Sequence, residues 1–389
     1  MYITIAQIAQ YTLQFCASLK FQLTSCLPRL TSSNFSDGVL NVVQYVGVGN
    51  VIELVKSIGI ETFLVGLAEY IEDDFRRWNA FEKTPRLASH SKTGVIELMP
   101  TSDGEHYGFK YVNGHPKNPN VGLQTVTAFG VLSDVSTGYP CLVSEMTIMT
   151  GLRTAATSAL AAKYLARPDA RSMAIIGLGA QSEFQALAFR ALLGVKRLQV
   201  FDIDSEAADK FCNNLSDMDF DIVVAATAEE AVSGADIITT VTADKRNATI
   251  LSDNMVGAGV HINAVGGDCP GKTELQGDIL RRADVFVEYP EQTRIEGEIQ
   301  QMAPDFPVTE LWQVIAGDAE GRRSSAQITI FDSVGFATED FSALRFLRDK
   351  IQGTAFYTEL DLTTQPEHPR DLYGLFRQQP ATTVERSAA

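Results

Sequence analysis

Asp268 follows two glycines at the end of an apolar run, Gly259-Val260-His261-Ile262-Asn263-Ala264-Val265, and Lys272 lies a short way beyond. In an open parallel α/β sheet, ligands gather beyond the carboxyl ends of strands, so an acid here suits proton transfer. Gly266 and Gly267 would let a flat ligand approach the backbone, and Pro270 and Gly271 turn the chain away. Taken alone, the segment reads equally well as a plain Gly-Asp-x-Pro turn. A second pair of charges, Glu97 and Lys110, sits inside two otherwise apolar runs, where unpaired burial is costly. Both a structural ion pair and an active-site wall fit that pair.

The element upstream decides where Asp268 stands. Met173-Ala174-Ile175-Ile176 reads as a buried strand and Gly177-Leu178-Gly179-Ala180-Gln181-Ser182 as the turn after it. A helix over 183–193 closes at Gly194, and a strand over 197–201 ends at Asp202. This is a dinucleotide-binding βαβ unit: glycines make the tight turn, and a helix N-terminus faces the phosphates. Ser182 replaces the usual third glycine. Asp202 would accept hydrogen bonds from the ribose hydroxyls and repel a 2′-phosphate, so NAD is favoured over NADP.

Helix and strand then alternate. Strands are expected over 221–226, 237–242, 259–265, 284–288 and 328–331, with Thr227-Ala228-Glu229-Glu230 opening a helix at capping-box spacing. A helix over 337–350 is expected to return to the first domain. Before the βαβ unit, residues 51–78 read as helical and 94–99 and 107–112 as strands around Asp103-Gly104. A tight Asp-Gly hairpin sets Glu97 opposite Lys110 and Pro100 opposite Tyr107, although a proline in the ladder could shift that register. Further strands are expected over 123–132 and 140–143, and an Ala-rich helix from Thr147 through Arg153 to Leu165.

Composition bounds the rest. The chain has 389 residues, long enough for two domains of ordinary size, and 45% of them are hydrophobic. A net charge of −16 argues against nucleic acid or an anionic membrane as partner, so any anionic ligand must be met by locally placed cations. The odd count of 5 cysteines lacks metal-type spacing and suits free thiols in a reducing, cytoplasmic setting. His90, His106, His115 and His368 are scattered without metal-ligand spacing, so no metal is expected. No apolar run approaches the roughly 18 residues of a membrane span. Met1 to Ser36 has no acidic residue and reads as a disordered tail or an untranslated upstream stretch, ahead of a weak organellar presequence.

Longer motifs sharpen this picture. Arg86-Leu87-Ala88-Ser89-His90, Lys110-Tyr111-Val112-Asn113-Gly114, Leu152-Arg153-Thr154-Ala155-Ala156 and Gly177-Leu178-Gly179-Ala180-Gln181 resemble the ornithine cyclodeaminase/μ-crystallin family. Val265-Gly266-Gly267-Asp268-Cys269-Pro270-Gly271-Lys272-Thr273-Glu274-Leu275 and Arg294-Ile295-Glu296-Gly297-Glu298 draw it toward the bacterial cyclodeaminase branch. The resemblance spans roughly 46–376. It implies an α/β fold: a Rossmann-type doubly wound parallel sheet domain plus a second α/β substrate-binding and dimerisation domain. The expected division is an extension over 1–43, the substrate domain over 44–153, the NAD domain over 154–335, a returning segment over 336–378 and a disordered tail over 379–389.

The resemblance further implies a homodimer that converts L-ornithine to L-proline and ammonia with tightly held NAD⁺. It places Arg86, Lys110 and Arg153 on the substrate carboxylate, Asp268 on the amine proton, Glu97 as a second proton-transfer group and Val334 against the substrate. Thr125, Arg153, Gly177, Gly179, Ala180, Gln181, Asp202, Val241, Thr242, His261, Ile262, Asn263, Ala264, Lys272 and Ser333 would line the cofactor site. These residue types suit the chemistry. Hydride leaves Cα only from a neutral amine, so a carboxylate must first take a proton. Ring closure by the δ-amine then becomes an oriented intramolecular step. Lysine cyclodeamination, ketimine reduction and amino-acid dehydrogenation share the same cations and remain alternatives, as does a non-catalytic crystallin-like binding protein.

Overall fold

The computed structural model describes residues 42–243 and 248–377, and these build two sheets. The expectations for 1–41 and for the tail over 379–389 lie outside the described residues.

The chain enters through β1 (Val43–Val46) and helices α1 (Val48–Ile58) and α2 (Ile60–Arg76). The helical pattern over 51–78 is split in two because Gly59 takes φ 87, which ends α1. A meander follows: β2 (Leu87–His90), β3 (Val95–Ser102), β4 (His106–Gly114), β5 (Ala128–Asp134) and β6 (Pro140–Glu145). With β15 (Thr358–Leu360) these strands form a seven-stranded sheet in the order β15-β1-β6-β5-β4-β3-β2. The expected strand over 123–132 starts late, at Ala128, because the chain before it is held in loop form; there Thr125 O accepts from the His115 N–H.

The β3–β4 register differs from the tight-hairpin expectation. Glu97 pairs with Val112, Met99 with Lys110 and Pro100 with Phe109. The cause is the turn. The Asp103 carboxylate accepts the backbone N–H groups of Glu105 and His106, so the aspartate caps a longer loop. A slip of two residues preserves which face each side chain takes, so Glu97 and Lys110 still point to the same buried side.

Helix α3 (Thr147–Leu165) links the sheets. It is buried nearly all round, which explains its Ala-rich sequence. The second sheet is wholly parallel: β7 (Ser172–Ile176), β8 (Arg197–Phe201), β9 (Asp221–Val224), β10 (Ile237–Thr240), β11 (His261–Ala264), β12 (Asp284–Val287), β13 (Thr309–Glu310) and β14 (Thr329–Asp332). Their order is β13-β12-β14-β11-β10-β7-β8-β9, so the winding reverses between β7 and β10. That reversal is the topological switch point, where a doubly wound sheet opens a crevice at its carboxyl edge. Helices α4 (Ser182–Leu193), α5 (Ser205–Asn214), α6 (Ala228–Val232), α7 (Gly277–Arg282), α8 (Pro290–Glu296) and α9 (Leu311–Ala316) connect these strands. As the sequence predicts, Gly194 closes α4 at φ 72 and the Thr227 hydroxyl accepts the Glu230 N–H. Helix α10 (Ala337–Lys350) then packs on β4, β5 and β3 of the first sheet. Two apolar clusters fill the interior, one running from the meander through α3 to one face of the parallel sheet, the other on its opposite face.

Candidate active site

Every strand of the parallel sheet ends at the same edge, and the chemistry-bearing residues collect there. The tight turn after β7 needs its first glycine. Gly177 has φ 99, and a Cβ would lie 2.9 Å from the Val241 backbone. Gly179 meets no such constraint, since a Cβ there would touch nothing within 4 Å. The open space beside it is the room a pyrophosphate would take. Among the described residues, no side chain caps the N-terminus of α4 just beyond, and the Gln181 Oε1 is buried without a partner. At the end of β8, the Asp202 carboxylate accepts the Leu178 N–H at 2.6 Å and so braces the turn. This donor and acceptor set fits a dinucleotide, with NAD preferred by the acid at Asp202.

Val241 and Thr242 continue from β10 into the same edge. Lys272 is almost fully buried and donates to Thr242 O at 2.6 Å, while Asp268 Oδ1 is 3.8 Å away. Asp268 itself is 54% exposed, a side chain open to ligand at a strand end. The glycines before it have a reason other than a flat ligand. A Cβ on Gly266 would collide with the Glu274 carboxylate, and one on Gly267 would sit 2.6 Å from Glu298 Oε1. Those carboxylates belong to a buried relay. Asp332 accepts the Glu298 and Ile299 N–H groups, Glu298 accepts those of Glu274 and Leu275, and Glu274 accepts the Thr242 N–H. Burial pushes all three acids up, Asp332 to about 7. The relay ties β14, the Asp268 loop and β10 into one rigid rim.

The cations come from the other sheet and from α3. Arg86 donates to Glu97 Oε2 at 3.1 Å, to Val334 O at 2.6 Å and to Gly335 O at 2.8 Å, and its Nε lies 3.0 Å from Glu296 Oε2. Arg153 donates to Glu339 at 2.7 Å and to Asp340 Oδ1 at 2.9 Å. Lys110 donates to that same Asp340 oxygen at 2.8 Å. Burial, then the charge of Arg153, pulls Lys110 down to about 8, with Asp340 pulling the other way. The Ser333-Val334-Gly335 turn is the hub. Gly335 has φ 75, and a Cβ there would sit 2.6 Å from Arg153. Glu288 holds the turn from behind, accepting the Ser333 hydroxyl at 2.9 Å and the Gly335 N–H at 3.1 Å.

The structure thus brings Arg86, Glu97, Lys110, Arg153, Ser333 and Val334 together, with Asp268 close enough to act electrostatically on Arg86. Asn263 and Ala264 lie in the strand that leads to this edge, and Ser333 N–H donates to Ala264 O. His261 and Ile262 differ from expectation. His261 starts β11, at the end away from the crevice, where its ring bonds Thr329 and Asn263. Burial, then Arg322, holds it down to about 3, the state of a neutral core histidine. Ile262 is packed in the apolar layer beside it. The edge positions are instead Val265 and Gly266, not named among the cofactor residues, whose N–H groups both donate to Thr240 O. Thr125 is held in its own loop, and no contact among the described residues joins it to the glycine turn. Glu296, Glu339, Asp340, Glu288 and Gln292 were also passed over. Glu296 stood in the Arg294–Glu298 motif without a role assigned to it, Glu339 and Asp340 lie in the first turn of a helix, Glu288 directly follows β12 and Gln292 lies within α8.

Residues 48–355 match the Ornithine cyclodeaminase/mu-crystallin family. The chain belongs to that family. It is 69% identical over 336 residues to the ornithine cyclodeaminase of Brucella suis biovar 1 (strain 1330), covering 86% of this chain and 94% of that protein. A solved lysine cyclodeaminase, described for its recognition of L-lysine, L-ornithine and L-2,4-diaminobutyric acid, superposes with TM-score 0.80 at 30% identity over 86% of this chain and 99% of that one. An archaeal alanine dehydrogenase dimer with bound NAD superposes with TM-score 0.76 at 31% identity, over 83% of this chain and all (100%) of that one.

Proposed function

We propose that this chain converts L-ornithine to L-proline and ammonia with tightly held NAD⁺, as a cytoplasmic homodimer. The observation that carries the reading is the meeting of Arg86 and Arg153 at the Ser333–Gly335 turn, with Lys110 joined to Arg153 through Asp340 and Asp268 acting on Arg86, on the dinucleotide edge of the parallel sheet. The high identity to a curated ornithine cyclodeaminase supports it.

In this reading Gly177, Gly179, Ala180 and Gln181 hold the pyrophosphate, and Asp202 holds the adenosine ribose. Val241, Thr242, Asn263, Ala264, Lys272 and Ser333 border the nicotinamide end, and Thr125, in the loop before β5, is assigned to the cofactor by the family resemblance alone. Bound NAD⁺ would supply a two-electron acceptor that gives the pair back, leaving no net redox change. The protein's own residues do the rest. Lys110 spends one of its three donors on Asp340, and the Arg153 Nη2 donates no hydrogen bond among the described residues, so both keep donors for a substrate carboxylate. Arg86 adds a guanidinium whose geometry suits a carboxylate. Val334 contacts the ligand chain. Asp268 takes the proton of the α-ammonium, leaving the neutral amine from which the Cα–H bond can be broken. Glu97, fixed by Arg86, is a second proton acceptor.

Homodimer formation is supported by an apolar row on the first sheet that no described residue covers. Leu87, Leu98, Tyr111 and Phe129 follow one another in register, and beside them run Phe109, Val131, Val143 and Tyr45. Phe129 and Tyr45 are exposed, and α10 covers only the opposite face. The free thiols of Cys141 and Cys212 suit the reducing setting of the cytoplasm.

A lysine-cyclising activity is the second reading, favoured by the similarity to the lysine cyclodeaminase. Incubating the NAD⁺-loaded protein with ornithine, lysine and arginine, followed by mass spectrometry, tests both. Proline and ammonium from ornithine are expected, and pipecolate as the main product, or no product from any of the three, would overturn the ornithine reading.

A further inference from the structure

Glu296 closes α8 and is turned inward, only 4% exposed. The roles above leave it unused. Its Oε2 stands 3.0 Å from Arg86 Nε, yet among the described residues neither atom makes an aligned hydrogen bond. The contact is one of charge alone, and the carboxylate keeps its lone pairs for another donor.

The charges around Arg86 are out of balance. Glu97, Glu296 and Asp268 all act on this one guanidinium. Asp268 also has Lys272 3.8 Å away, which leaves two buried carboxylates, Glu97 and Glu296, on this one guanidinium, and a substrate carboxylate on Arg86 would add a third anion. One ammonium from an ordinary amino acid leaves the cluster short of positive charge. Two ammonium groups go much further toward neutralising it, and an unpaired buried charge is expensive enough to make that difference felt. Burial, together with Glu97 and Asp268, already pushes the Glu296 carboxyl up to about 7 against the pull of Arg86. A cation brought beside it would relieve this strain on its ionised form.

We infer that Glu296 is the receptor for the distal ammonium of the substrate and makes the site selective for diamino acids over monoamino acids of the same length. This rests on the function proposed above and deepens it. The assignment also gives the distal amine its needed partner. One proton passes from the distal ammonium to a Glu296 oxygen, and the freed nitrogen lone pair forms the C–N bond to the α-imine carbon. The new ring nitrogen passes one of its two protons to the original α-nitrogen and Glu296 returns the proton it holds, so that nitrogen gains the two hydrogens it needs. The ring nitrogen's lone pair then forms the C=N bond as the bond to the α-nitrogen breaks and ammonia leaves. Electrons and protons balance within the substrate and this one carboxyl.

The test separates this role from simple support of Arg86. In NAD⁺-loaded protein carrying Asp268→Asn to stop turnover, calorimetry compares ornithine with norvaline, which has the same chain without the distal amine. Ornithine should bind more tightly than norvaline. Adding Glu296→Gln should weaken ornithine by about tenfold or more, the scale of one charge-assisted hydrogen bond, and leave norvaline within about twofold. Glu296→Asp, which keeps the charge, should recover part of the ornithine preference. Equal weakening of both ligands, or no ornithine preference in the parent, would overturn the assignment, because Arg86 serves the carboxylate that both ligands share. Retained norvaline binding also reports that the variant is folded. Failure of the wider reading shows up separately, as wild-type protein that makes no proline.

Discussion

Asp268 is exposed at a strand end while the groups that support it are buried, so its substitution should touch chemistry and leave the fold intact. Asp268→Asn is expected to hold NAD⁺ as the parent does and to lose turnover by about 10²-fold or more, the usual worth of a positioned acid–base group. Fluorescence titration of NAD together with proline formation checks it, and an active variant would remove the assigned role. At this scale the sequence was partly legible. Arg86, Lys110, Arg153 and Asp268 could be picked out because each breaks its local pattern or belongs to a long motif. Asp340 and Glu339 could not, because acids in the first turn of a helix are what its dipole favours anyway. Only the fold reveals that they grip Lys110 and Arg153. The glycine pair before Asp268 was seen, but its closest neighbours were not, since Glu274 and Glu298 come from segments that no local pattern connects to it.

The elements were more legible than their pairing. Hydrophobic periodicity and caps gave α3, α4, β8 and α10 their bounds, because these carry clear apolar faces or glycine stops. The β3–β4 register escaped because Asp103 can begin a tight turn or cap a longer one, and its carboxylate chose the second. His261 shows the same limit within β11, where motif position suggested cofactor contact and the strand's direction put the ring in the core. That burial has a consequence with a definite sign. A folded-state value of about 3 against an ordinary 6.5 means the unfolded chain takes up the proton first. The contribution of His261 to stability is therefore present above about 6.5 and is lost as pH falls toward 3. Asp332, raised to about 7, works in the opposite sense, its contribution being present at low pH and lost as pH rises toward 7. Because the two oppose, the His261 share is read as a difference. Thermal melts of His261→Gln between pH 6.5 and 4 should fall less steeply than those of the parent, whatever the absolute midpoint. An equal slope would show that the ring is protonated in the fold.

For the molecule as a whole, one sheet supplies the dinucleotide edge, the other supplies Arg86, Glu97 and Lys110, and α3 brings Arg153 between them. Neither sheet holds a complete site, which is why the sequence showed two sets of candidates with no visible link. The apolar face with Phe129 and Tyr45 belongs to this scale too. Phe129→Glu would set a charge in an apolar interface, and light scattering behind size exclusion should find the variant at the monomer mass where the parent runs as a dimer. A parent that is already monomeric would contradict the dimer. The central claim, that the reaction is an internal redox cycle ending in ring closure, is tested most directly with ornithine deuterated at Cα. Wild-type protein with NAD⁺ is expected to release one ammonium per proline and to return the deuterium to Cα of that proline. Proline that has lost the label to solvent, or a keto acid formed alongside an equivalent of reduced nicotinamide, would contradict it.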